Sequence, residues 1–253
     1  MSIDPSVDNK STLIFLPGLG ADHRLFKHQT AAFSNDTANS VAVDWIEPTA
    51  AETLEGYAER LADSLPKYDN PVIVCGLSLG GMVAPYVARR IGASACIRLC
   101  TVRNYTEFPP RYYPAWLLMR AGGLPLSWIV LFAAQVGARF LLFFSFSWRR
   151  RFDPDTLRAF TETKTMTLVR LTRMMLNWAY RRRSSEEPVP ADVFPAFQVH
   201  GAWDFLLPIR RTKPDVRIRG GGHLLSLTHP EEINRIIREF VDTIANEMAC
   251  CPP

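Results

Sequence analysis

Hydrophobic positions along this chain follow two alternating rhythms. Ser11–Leu16 is a short β-rich run that stops at Pro17-Gly18. Asp22 can cap a helix running on to Phe33, and Val41–Ile46 predicts a second strand. Helical spacing returns over Glu52–Leu65, through Leu54, Tyr57, Ala58, Leu61 and Leu65. Pro71–Cys75 is apolar throughout, the pattern of a strand buried on both faces. A helix over Leu79–Ile91 and a strand over Ala95–Thr101 follow. The alternation then breaks off. It resumes with strands at Phe194–His200 and Asp215–Arg219 and a helix from Pro230 to Ala245. Strand and helix in strict turn predict an α/β fold, a mostly parallel sheet with helices on both faces. Because the break falls between two strands of one sheet, residues 105–190 are expected to be an insertion into a core of 1–104 and 191–253. No internal repeat is visible.

Charge sharpens that division. The formal net charge is only +4, yet Arg103–Arg183 carries 14 Lys/Arg against 4 Asp/Glu, and the remainder is net acidic. A basic middle on an acidic body suggests a segment with its own task. The five cysteines, Cys75, Cys96, Cys100, Cys250 and Cys251, lack metal-ligand spacing with any histidine. Cys75 and Cys96 sit in apolar runs, where a free thiol acts as a small hydrophobe. Met1–Lys10 is polar and carries no signal-peptide apolar region, so a cytoplasmic location is expected.

The chemistry concentrates at Gly76-Leu77-Ser78-Leu79-Gly80, a G-x-S-x-G sequence between an apolar strand and a helical pattern. A serine on a sharp strand-to-helix turn has a strained backbone and crowded neighbours. Glycines two before and two after relieve the crowding, here Gly76 and Gly80. The turn presents the hydroxyl at a helix N-terminus, where the dipole favours developing negative charge. On these residues the chain resembles the α/β-hydrolase family over its sheet elements.

A serine hydroxyl needs a base, usually a histidine oriented by a carboxylate. The family order of serine, acid, histidine excludes His23 and His28, which precede Ser78. His223 follows Gly220-Gly221-Gly222 where the resemblance places the base. His200 is expected to be structural at a strand end, and His229, beside Pro230, to help begin the last helix. In Val199-His200-Gly201-Ala202-Trp203-Asp204 the resemblance assigns the acid to Asp204, with Trp203 a candidate pocket residue. The rival position after Ala95–Thr101 holds Asn104, which cannot carry the required charge, and Asp215 belongs at the far end of its strand. The oxyanion hole takes backbone N–H groups, one from Leu79 and one from the loop Leu16–Asp22. Leu19 is the expected second donor, with Gly20 as the alternative. Pro17 stands where many family members carry histidine, which leaves the backbone role intact. The loop lacks the glycine patterns of nucleotide sites.

The resemblance therefore implies acyl transfer to water, with no metal or organic cofactor. Ser78 argues against epoxide opening and dehalogenation, which in this fold usually use an aspartate nucleophile. It also implies that 105–190 is a helical cap shaping a pocket for an apolar ester. Leu124–Trp148 holds one charge, Arg139, over a length that could span a bilayer. Pro125, Gln135 and Arg139 interrupt it, which favours two cap helices over membrane docking or a span. Trp148-Arg149-Arg150-Arg151 and Tyr180-Arg181-Arg182-Arg183 bracket an expected helix over Pro154–Tyr180. These arginines suit a solvated face, an anionic membrane surface, or an acidic carrier protein bearing the acyl group, as for relatives that act on pimeloyl methyl esters. Nucleic acid is not expected, since no recognition motif accompanies the charge. Thioesterase, lactonase, C–C hydrolase and lyase chemistry share the same residue set. A catalytically silent binding protein of the same fold is the non-enzyme alternative.

Overall fold

The computed structural model describes residues 10–34, 38–121, 154–180 and 194–250. Six strands form one sheet: β1 Ser11–Leu16, β2 Ala38–Ala42, β3 Val72–Leu77, β4 Ala95–Leu99, β5 Ala196–Gly201 and β6 Val216–Ile218. Their spatial order is β2-β1-β3-β4-β5-β6, and every pairing is parallel. Parallel strands need crossovers, and helices supply them. These are α1 Lys27–Phe33, α2 Leu54–Asp63 and α3 Leu79–Ile91, while the short α7 Leu225–Thr228 and α8 Pro230–Cys250 follow the last strand. Between β4 and β5 lie α4 Tyr113–Ala121, α5 Pro154–Thr161 and α6 Thr165–Tyr180.

Alternation along the strands decides which helices cover which face. Ile14, Leu16, Val72, Val74 and Cys96 point into a core shared with α2, α3, α4 and α6. Leu13, Phe15, Ile73, Cys75, Leu77, Ile97 and Leu99 point the other way, against α1 and α8. β1 and β3 are buried along their whole length, as their unbroken apolar runs require. Because every strand is parallel, all their C-terminal ends lie on one edge of the sheet. The loops after β1, β3, β5 and β6, which carry the expected chemical residues, therefore converge there.

Three elements depart from the sequence reading. The second strand is Ala38–Ala42, not Val41–Ile46. Its ladder runs from Ser11↔Ala38 to Phe15↔Ala42 and ends because β1 ends at Pro17, which has no N–H to offer. Val43, Trp45 and Ile46 instead pack on the core. The helix capped by Asp22 begins as a 3-10 turn, His23–Phe26, before α1. The expected helix Pro154–Tyr180 is two helices. They part at Glu162-Thr163-Lys164, where Glu162 pairs with Arg24 and Thr163 Oγ1 donates to Gly20 O at 3.2 Å. Tertiary contacts to the loop after β1 override the helical pattern there. The expectations for Leu124–Trp148, Arg149–Arg151 and Arg181–Arg183 fall outside the described residues. Among the described residues, no helix is long and apolar enough to cross a membrane.

Candidate active site

Ser78 sits between β3 and α3 at φ 57° and ψ −116°, a conformation that costs a non-glycine residue on the order of 1–3 kcal/mol. Its surroundings hold it there. Ser78 N–H donates to Leu99 O at 2.9 Å, and Ser78 O accepts from Thr101 Oγ1 at 2.6 Å and Met82 N–H at 3.2 Å. The flanking glycines are forced by contact. A Cβ on Gly76 would lie 2.2 Å from Gly80 O, and one on Gly80 would lie 2.1 Å from Leu16 O. Leu79 opens α3, so its N–H belongs to the helix's first turn, which has no intrahelical acceptor.

Asp204 and His223 meet although they lie on different loops. His223 Nδ1 is 2.8 Å from Asp204 Oδ2. A carboxylate can only accept, so the proton of this pair belongs on Nδ1, which in the neutral ring leaves the lone pair on Nε2. Asp204 is 4% exposed. Its other oxygen, Oδ1, accepts from Leu206 N–H and Leu207 N–H, both at 2.9 Å. Burial pushes the Asp204 carboxyl up. The charge of His223 and hydrogen bonds from His200, His223 and Leu207 outweigh it, and hold the group well below the usual carboxylate range.

The end of β4 ties these pieces together. Leu99 accepts from Ser78, Cys100 N–H donates to Val199 O on β5, and Cys100 Sγ donates to Gly222 O at 3.4 Å, next to His223. Cys100 itself stands at φ 45°. The close approach of β5 to the histidine loop needs Gly201, whose Cβ would lie 2.3 Å from Gly222 O. Among the described residues, no hydrogen bond joins Ser78 to His223. Catalytic contacts of this kind often tighten only with substrate bound.

The loop after β1 is a turn closed by Ala21 N–H to Gly18 O at 3.2 Å. Gly20, at φ 75°, occupies the position of a type II turn that demands a positive angle. Trp45 Nε1 anchors this turn by donating to Gly18 O at 3.1 Å. A Cβ on Gly18 would be 3.5 Å from Ser78 Cβ, so the turn carrying Leu19 lies directly beside the serine. α6 packs over it, with Leu168 Cδ1 within 3.2 Å of where a Gly20 Cβ would sit. Trp203 is 66% exposed, so its ring stands at the surface and not in an enclosed pocket. His229 precedes α8 and accepts from Ile233 N–H, in keeping with a helix-starting role.

Among the described residues, one group places three potential metal-ligating atoms within 4.8 Å of one another: Asp22, His23 and Asp44. Asp22 is engaged by Arg24, and His23 Nδ1 lies 2.8 Å from Asp44 Oδ1. The sequence reading left Cys100 out of the site and gave His200 a structural role at its strand end, yet both lie beside Asp204 and His223 once β4 and β5 pair.

Comparison with known proteins agrees with this architecture. A pimeloyl-[acyl-carrier protein] methyl ester esterase of Aromatoleum aromaticum is 25% identical over 221 residues, covering 77% of this chain and 82% of that protein. A membrane phospholipase A described as a bacterial virulence factor superposes with a TM-score of 0.67 at 19% identity, covering 94% of this chain and 80% of that one. A thermophilic esterase from Thermogutta terrifontis gives 0.60 at 19% identity, over 92% and 90%. The model of the alpha/beta hydrolase family matches residues 13–236. With that match across most of its length, and a six-stranded parallel sheet beneath it, the chain belongs to the alpha/beta hydrolase family.

Proposed function

We propose that this protein is a serine hydrolase that cleaves a carboxylic ester with an apolar acyl group. The observation that carries the proposal is the joint presence of a strained Ser78 at the head of α3 and a buried Asp204 oriented on His223 Nδ1. His223 Nε2 accepts the Ser78 proton as Oγ attacks the ester carbonyl. The oxyanion of the tetrahedral intermediate takes hydrogen bonds from the N–H groups of Leu79 and Leu19. Collapse breaks the bond to the alcohol, which leaves with the proton held by His223. Water, deprotonated by the same nitrogen, then attacks the acyl-enzyme; the second tetrahedral intermediate breaks its bond to Ser78 Oγ, which takes the proton back from His223 as the carboxylic acid leaves. Ionised Asp204 stabilises the imidazolium at both steps.

A series of p-nitrophenyl esters and the matching thioesters of increasing acyl length, with Ser78→Ala as control, tests this reading. Ester turnover that depends on Ser78 and rises with chain length supports it. Turnover unchanged in Ser78→Ala would sink it.

A second reading concerns the form of the substrate. The relative from Aromatoleum aromaticum is an esterase for a pimeloyl group on acyl carrier protein. The basic stretch Arg103–Arg183 would suit such an acidic carrier. On that reading the carrier-borne methyl ester is hydrolysed much faster than the same ester on a small thiol. Equal rates for the two would reject it. Residues 105–190 then act as the cap that admits the acyl chain.

A further inference from the structure

Two imidazoles converge on one oxygen of Asp204. His223 Nδ1 lies 2.8 Å from Oδ2, and His200 Nε2 lies 3.2 Å from the same atom. His200 Nε2 is also 2.7 Å from Leu207 O. Both neighbours are acceptors, so Nε2 carries a proton and shares it between them. The His200 ring is completely buried, and its Nδ1 has no hydrogen-bond partner among the described residues. Leaving a buried polar atom unpaired costs about 1–3 kcal/mol. A histidine kept at that cost for packing alone is poorly accounted for, because a leucine fills similar space without it.

We propose that His200 is a positioning residue for Asp204, whose shared Nε2–H locks the acid turn and moderates the pull of Oδ2 on His223. The inference rests on the serine hydrolase reading above. The turn needs such a lock because Asp204 hangs between two anchor sets. Leu206 and Leu207 N–H fix Oδ1, while Oδ2 faces the two rings. By bonding Leu207 O as well, His200 ties the far side of the turn to β5. The carboxylate thus receives three hydrogen bonds and, from His200 Nε2, a fourth and longer contact at 3.2 Å, which together favour one rotamer. Each donor to Oδ2 also draws off negative charge, so His200 competes with the His223 Nδ1–H for the same electrons.

The other ionisable groups near this pair are few. β4 brings the Cys100 thiol, which is buried, pushed up by burial and by the charge of Asp204, and bonded to Gly222 O. β6 brings Arg217, the register partner of His200, with its side chain exposed. The turn brings Arg210, which is exposed, and Arg211, which reaches away to Glu107 O and Thr106 O.

The test compares wild type, His200→Leu and His200→Gln for thermal stability, for the pH profile of kcat/KM on a p-nitrophenyl ester, and for the low-field imidazole N–H resonance that disappears in His223→Gln. Without the competing donor, Oδ2 binds the His223 N–H more strongly. In His200→Leu the acid limb should therefore move up by about half a pH unit or more. The resonance should move downfield, and plateau kcat should fall about tenfold with KM nearly unchanged. Glutamine can place an amide N–H near the Nε2 position and should restore much of the wild-type profile. If His200→Leu does not fold, His200→Asn, whose shorter amide falls short of both acceptors, takes its place. An acid limb and resonance identical to wild type, with only the melting temperature lowered, would overturn the proposal. The resonance is read without substrate, so it judges His200 even if no ester is hydrolysed; failure of hydrolysis in the wild type would instead count against the enzymatic reading.

Discussion

Single residues at the sheet edge carry opposed demands. Ser78 must adopt a strained angle, so everything around it is fixed. Gly76 and Gly80 illustrate the cost of changing that. Gly76→Ala or Gly80→Ala would drive a methyl group to within 2.2 Å or 2.1 Å of a carbonyl oxygen. Each should destabilise the protein by about 3 kcal/mol or more, measured by urea unfolding, because backbone cannot yield as a side-chain tip can. Asp204 gives a pH prediction with a definite sign. Its folded-state carboxyl is depressed, so ionised Asp204 stabilises the fold above its unfolded value of about 4, and that contribution is lost as pH falls below it. Asp204→Asn should therefore lose stability less steeply between about pH 4 and pH 2 than wild type does. At neutral pH the same substitution should lower kcat by about 10³–10⁴, since an amide can favour the wrong tautomer of His223. The turn around Ser78 and the meeting of Asp204 with His223 were legible at this scale, because turn chemistry and family order constrain them strongly. The roles of His200 and Cys100 were not, since each depends on which strands become neighbours.

At the level of elements, the loop after β1 is shaped from three directions. Trp45 holds it from the strand β2 side, α3 abuts it, and α6 lies over it through Leu168, with Thr163 bonding it from the break before α6. Trp45→Phe keeps the aromatic volume and removes the hydrogen bond to Gly18 O. It should reduce stability by about 1 kcal/mol and kcat by about tenfold, with thermal unfolding and steady-state kinetics as the readouts. Hydrophobic rhythm located the strands and the helices packed on the sheet, because burial on two faces or one leaves a clear period, but not α4 Tyr113–Ala121 or the four-residue α7. It misplaced the second strand, where the end of β1 at Pro17 decides the ladder. It also joined α5 to α6, because the bond from Thr163 to Gly20 is invisible in a local window. Parallel pairing then accounts for why loops distant in sequence share one edge.

For the whole molecule, charge and chemistry are unequally distributed. The sheet edge carries the residues proposed for acyl transfer, and the basic stretch lies between β4 and β5. Arg120 and Arg173 are both exposed on this side, Arg120 lying over the Trp116 ring at 5.4 Å. If an acidic carrier docks here, Arg120→Glu with Arg173→Glu should raise KM for the carrier-borne ester about tenfold and weaken its salt dependence, while p-nitrophenyl acetate is turned over as in wild type. Unchanged KM in both assays would separate these arginines from substrate selection. Ser78 as the nucleophile is what a fluorophosphonate probe reads directly. Intact-mass and peptide mapping should show one adduct per chain, on Ser78, absent from Ser78→Ala and formed far more slowly in His223→Gln. No adduct on Ser78 in a folded protein that still hydrolyses esters would contradict it.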